Sequence, residues 1–109
     1  MKTILPLVLL SVGTAVHAAS PQYSDWGYVT QIATGWADDT MAVYHTAPLA
    51  NPSGCGVVNA GYATSPADPG HKLFHATILG AYLAHKQVAI LALDCVYDKP
   101  RILGVNVKD

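Results

Sequence analysis

Three sets of residues in this sequence have types and spacings that chemistry could use. His71 and His75 are four apart, so on a helix they share a face and offer two imidazoles to a divalent cation. A stable zinc site takes a third or fourth ligand, for which His45 and Asp68 are the candidates; without them the pair reads as surface or cap histidines. Trp26, Tyr28 and Trp36 alternate on one face of an extended run. Aromatic faces stack on sugar rings or bases because each presents a flat apolar surface, and the competing reading is a barrel core or subunit interface. Cys55 and Cys95 are the two cysteines, with no Cys-x-x-Cys redox pair and no activating base beside Cys95. Asp38 and Asp39 are adjacent and point opposite ways on an extended chain, so they read as a turn rather than an acid–base pair. Asp94 closes an apolar strand, where a carboxylate needs a partner such as Lys99 or Arg101, or its pKa rises. Gly54 and Gly56 flank Cys55, but no Lys follows at the spacing of a phosphate-binding loop, and no nucleophile elbow is present. The residues therefore point to a non-catalytic protein and imply no cofactor.

The elements that must carry these residues follow from periodicity. Residues 19–25 are polar and read as a flexible lead-in. Residues 26–37 are rich in β-formers, with Gly35 marking a bulge, and Met41 to Ala47 alternates, so the two read as a hairpin turning at Asp38-Asp39. A Pro- and Gly-rich loop follows, then a weaker strand over 56–64 and a second loop over 65–70. The period then changes. His71 to Lys86 reads as a helix, with Phe74, Ile78, Ala81, Tyr82 and His85 on one stripe, Asp68 as N-cap and Pro69 at its first position. That helix is apolar nearly all round and dense in small residues, which predicts burial on two sides: against its own sheet and against something else. Gln87 to Cys95 and Ile102 to Val107 are the last two strands, joined by a turn at Asp98-Lys99-Pro100.

The order strand, strand, strand, helix, strand, strand describes a mainly β chain with one helix. It suits a five-stranded Greek-key barrel with the helix between strands three and four, which is the OB-fold order. The alternative is an open α+β sheet with the helix packed across one face.

Composition bounds the function. The chain has 109 residues, 51% of them apolar and 12% charged, with six Lys and Arg against seven Asp and no Glu. It is too apolar for disorder and lacks the basic excess of a phosphate-reading surface, so a nucleic-acid partner is not expected. Residues 1–18 read as a secretory leader: Lys2, an apolar run from Ile4 to Val12, then Val16-His17-Ala18 as a small-x-Ala cleavage site. The run is too short to span a bilayer, which needs about 20 apolar residues. The domain proper is then 26–109, exported to the periplasm or beyond, and removal of Lys2 makes it more acidic. In an oxidising compartment two cysteines have one pairing, Cys55 with Cys95. It closes a loop of about 40 residues and contributes on the order of 3–4 kcal/mol.

Val29-Thr30-Gln31-Ile32-Ala33-Thr34-Gly35 resembles the first-strand motif of the B subunits of subtilase cytotoxin and typhoid toxin. Phe74 to Ile90, with Leu79, Ala81 and Tyr82 followed by Lys86-Gln87-Val88-Ala89-Ile90, is similar to that family's passage from helix to fourth strand. The resemblance covers about half of the domain. It implies an OB-fold, a homopentameric ring and binding of sialylated glycans. The family's sugar-contacting Ser falls at Asp25 here, with Ser24 one residue earlier; with the alternating aromatics Trp26, Tyr28 and Trp36 these make the candidate ligand-binding set. The sequence departs from the family in lacking a closely spaced cysteine pair near its C-terminus. Three readings stay open: a glycan- or protein-binding module that forms a homo-oligomer, a structural or inhibitory protein docking a partner through its apolar helix, and a small metal-binding protein.

Overall fold

The computed structural model describes residues 18–35 and 38–109. The leader expected over 1–18 lies, but for Ala18, outside the described residues, and so does Trp36. The chain is mainly β with one helix: β1 (Gln22–Tyr23), β2 (Val29–Ala33), β3 (Ala42–His45), β4 (Tyr62–Ala63), α1 (His71–Ala84), β5 (Gln87–Val96) and β6 (Lys99–Lys108). One mixed sheet holds six strands in the order β1-β5-β6-β4-β3-β2, with only β4 and β6 parallel. Among the described residues no helix is long and apolar enough to cross a membrane.

The sheet has six strands rather than the expected five because part of the expected lead-in forms a strand of its own. Gln22–Tyr23 lie inside the stretch read as a lead-in and pair with β5, Tyr23 opposite Leu91. Ser24 and Gly27 continue that pairing through Ser24 N–H to Ile90 O and a reciprocal pair between Gly27 and Val88. One residue later the chain changes partner: Tyr28 accepts from Thr46 N–H, and Val29 stands opposite His45 of β3. Gly27 sits at the change because a Cβ there would strike the Thr46 hydroxyl and the His45 ring.

The expected strand over 56–64 shortens to β4. The backbone donors of the preceding residues are taken elsewhere: Gly56 N–H by the Asp98 carboxylate, Val57 N–H by the Asp98 carbonyl, and Cys55 N–H by Asn51 Oδ1. A chain whose N–H groups are spent on a turn has none left for a ladder. β6 begins three residues earlier than expected, with Pro100 inside it. The β5–β6 turn falls at Tyr97-Asp98, where both φ angles are positive (51° and 59°), as a two-residue hairpin turn of type I′ requires. A bulge at Leu93-Asp94, opposite Arg101, precedes Cys95, and the disulfide Cys55–Cys95 forms as expected, with Cα atoms 5.8 Å apart.

Asp68 does not cap α1. Its carboxylate lies 2.6 Å from Arg101 Nη1, while Arg101 Nη2 reaches Asp94 at 3.3 Å; Gly70 is the N-cap and offers no side-chain bond. The helix ends on His85 in the left-handed conformation. Phe74, Ile78 and Ala81 turn inward onto a core whose fully buried members include Val43, Tyr62, Val88, Ile90 and Ile102. Burying each such aliphatic side chain stabilises by about 1.5–3 kcal/mol. Tyr62 satisfies its hydroxyl by accepting from Ala50 N–H at 2.7 Å, and burial still raises its pKa above the usual tyrosine value.

Candidate binding site

The candidate ligand-binding segment and the histidine pair lie in two places, and a cleft lined in part by His45 lies in a third. Along the first segment, Ser24 is buried: its hydroxyl accepts from Ile90 N–H at 3.0 Å and donates to the Asp25 carbonyl. The bond from Ile90 ties the chain to β5, and the bond to Asp25 is local. Asp25 is exposed. Trp26 is exposed, with Lys108 Nζ 4.4 Å from its ring centre, a cation–π arrangement. Tyr28 stacks on His85 at 4.5 Å with the rings 10° from parallel. Trp26 thus packs against the end of β6 and Tyr28 against the end of α1, so the two do not share one platform.

The histidine pair occupies the first turns of α1, ring centres 5.5 Å apart and edge to face. His71 Nδ1 lies 2.7 Å from the Asp68 carbonyl, to which it donates, and Nε2 stands 3.9 Å from the Asp39 carboxylate. His75 Nε2 is spent on the Thr64 hydroxyl at 2.7 Å, and that hydroxyl also accepts from Met41 N–H. Burial depresses the His75 pKa, the neighbouring His71 adds to the shift, and Asp39 partly opposes it. Neither further candidate ligand joins the pair: Asp68 is held by Arg101, and His45 Nε2 bonds the Val88 carbonyl. Among the described residues no group of three or more His, Cys, Asp or Glu is placed to hold a metal.

The cleft opens where β2 and β3 meet the loop that follows β3, and its volume is about 280 Å³. Thr30 of β2, Tyr44 and His45 of β3, and Leu49, Val58 and Asn59 of the loop line it. Two glycine-dependent contacts shape it. At Gly27 the absent side chain lets the His45 ring lie against the first strand segment. At Gly61 φ is +72°, and a Cβ would run into the Val43 carbonyl, so only glycine brings the loop back onto β3 at this point. The loop is anchored beyond the cleft by Asn51, whose amide bonds Cys55 at both N–H and carbonyl, and by the disulfide.

Of the residues singled out from sequence as ligand-binding, Ser24, Asp25, Trp26 and Tyr28 do not line this cleft. The signal that would have found it was modest. Thr30 and Tyr44 lie on strands whose neighbours Val29 and Val43 enter the core, and Val58 is an aliphatic residue in a stretch bounded by Gly56 and Gly61. What defines the protein at this stage is a disulfide-tied, mainly β domain with one helix and an uncharged cleft. No family model, no curated protein and no solved structure matches this chain.

Proposed function

We propose that the chain is an exported, non-catalytic binding module that assembles with copies of itself and recognises a glycan, in the manner of the toxin B subunits it resembles. The observation that carries this reading is the outer face of α1. Leu73 and Leu83 are 70% and 74% exposed, Leu79 and Tyr82 stand beside them, and the surface between is small: Ala76, Gly80 and Ala84. An amphipathic helix of a solitary domain carries polar residues there, and a contiguous apolar patch on a small domain marks an interaction surface. Gly80 adds to this. A Cβ at that position would meet nothing within 4 Å, so the fold makes no use of the glycine, whereas a close-packed neighbour would.

The fold proposed with it is a closed, five-stranded Greek-key barrel of OB type. Residues 22–27 and 29–33 count as one bent strand, pairing with β5 through its first half and with β3 through its second. In support, His45 of β3 reaches the Val88 carbonyl of β5 at 2.8 Å, across the join. The parallel pairing of β4 with β6 also matches the order of that barrel.

The test is the solution mass of the oxidised, processed protein by light scattering, together with binding to a glycan array. A ring, five-membered as the resemblance implies, and a defined glycan preference are expected; a monomer that binds no glycan overturns the proposal. The same apolar helix face supports a second reading, a protein that docks one periplasmic partner. That reading predicts a monomer that recovers a single stoichiometric protein from periplasmic extract.

A further inference from the structure

The cleft beside β3 is chemically selective. Its walls carry the Tyr44 ring, two aliphatic side chains (Leu49 and Val58), an amide (Asn59), a hydroxyl (Thr30) and the His45 imidazole, and among the described residues no Lys, Arg, Asp or Glu lines it. The Thr30 and Tyr44 hydroxyls and the Asn59 amide have no hydrogen-bond partner among the described residues. Val58 is 61% exposed although its loop is pinned on both sides, by Gly56 and Val57 to Asp98 and by Gly61 against β3. An aliphatic side chain held in water on a pinned loop is accounted for when something apolar covers it. The volume is at the small end of the roughly 300–1,000 Å³ range of small-molecule sites, room for one ring rather than an extended chain.

We propose that this cleft binds a single neutral pyranose ring. The apolar C–H face of the sugar lies on Tyr44, with Leu49 and Val58 at its edge, and its hydroxyls exchange hydrogen bonds with Thr30 and Asn59. The sugar is neutral because a carboxylate or phosphate entering the cleft would lose hydration with no Lys or Arg among the described residues to pair with it, and the His45 Nε2 is already engaged by the Val88 carbonyl. The inference rests on the glycan-binding reading and deepens it: it names the site and the sugar class, and it separates this cleft from any place that takes sialylated glycans.

The experiment is a two-dimensional amide NMR titration of the oxidised protein. The probes are the methyl glycosides of glucose, galactose, mannose and N-acetylglucosamine, with N-acetylneuraminic acid in a parallel arm. At least one neutral sugar is expected to give saturable shifts at Tyr44, Val58, Asn59 and Gly61, with a dissociation constant in about the millimolar range. Asn59→Ala alters an exposed loop residue and leaves the fold intact; it is expected to weaken that binding about ten-fold. Tyr44→Ala is expected to abolish it. The proposal is overturned if no neutral sugar moves these resonances, if Asn59→Ala leaves the affinity unchanged, or if N-acetylneuraminic acid binds here more tightly than every neutral sugar. Glycan-array binding that survives Asn59→Ala removes this cleft from the account and leaves the proposed function standing. A monomer without array binding removes the proposed function itself.

Discussion

At the disulfide end of the sheet the chain satisfies itself. Asn51 holds Cys55 by two bonds, Asp98 takes the N–H groups of Gly56 and Val57, Ser53 accepts from Asp94 N–H, and Arg101 joins Asp68, Asp94 and the Leu93 carbonyl. On the outer face of α1, Leu73, Leu79 and Leu83 stand in water around three small residues. The first region is irregular, with Gly54, Asp94, Tyr97 and Asp98 at positive φ, yet the polar groups just named find partners, Asp68 Oδ2 being buried without one. The second is regular helix, yet its surface is incomplete. Regular secondary structure is thus no guide to which region is finished. The useful question is where each backbone donor and each apolar area goes.

The largest expected effect falls on the self-satisfied end. Replacing both cysteines by alanine removes the one covalent tie of the 51–61 loop, and chemical denaturation should show a loss of about 3–4 kcal/mol. Next is a comparison across the helix itself. Ile78→Ala opens a cavity under α1 and should cost about 3 kcal/mol, whereas Leu83→Ala, 74% exposed, should change monomer stability by no more than about 0.5 kcal/mol while weakening any assembly. Equal losses from the two would mean that the outer face is already covered within the chain.

Gly61→Ala places a side chain against the Val43 carbonyl at positive φ. It should cost roughly 2 kcal/mol in thermal or chemical unfolding and displace the loop that walls the cleft. Gly80→Ala meets open space in a helix interior. It should stabilise the monomer by up to about 1 kcal/mol, and its sharper readout is a fall in oligomer mass if a neighbour packs closely there.

The smallest effect is on pH dependence. The His75 pKa lies below its unfolded value of about 6.5, so the unfolded chain binds the proton more tightly. Stability from this group is whole above that pH and declines as pH falls through the unfolded value toward the folded one. Melting temperatures between pH 7.5 and 5 should fall less steeply in His75→Gln, whose amide can still bond Thr64, than in the parent. Equal slopes would show that His75 does not titrate across unfolding.

Much of this was legible in the sequence, for identifiable reasons. Two cysteines admit one pairing. The change of period at His71 marks α1, whose apolar residues all round predict burial on two sides; the chain itself covers one of them. The disagreements lie where two segments compete for one group. Asp68 reads as a cap until Arg101, 33 residues away, takes its carboxylate. Residues 56–61 read as a strand until Asp98 takes two of their donors. The cleft is of the same kind, since Thr30, Tyr44 and Asn59 come together only through the β2–β3 register and the return of the loop at Gly61.

By itself, then, the sequence determined what depends on local period and composition: a mainly β chain, one helix apolar on both faces, and a single disulfide. Tertiary structure decided the partner of each polar side chain, the division of the first strand at Gly27 and the shape of the cleft. The reason is physical: apolar periodicity is a property of neighbours along the chain, while a hydrogen bond goes to whichever group the fold brings within about 3 Å.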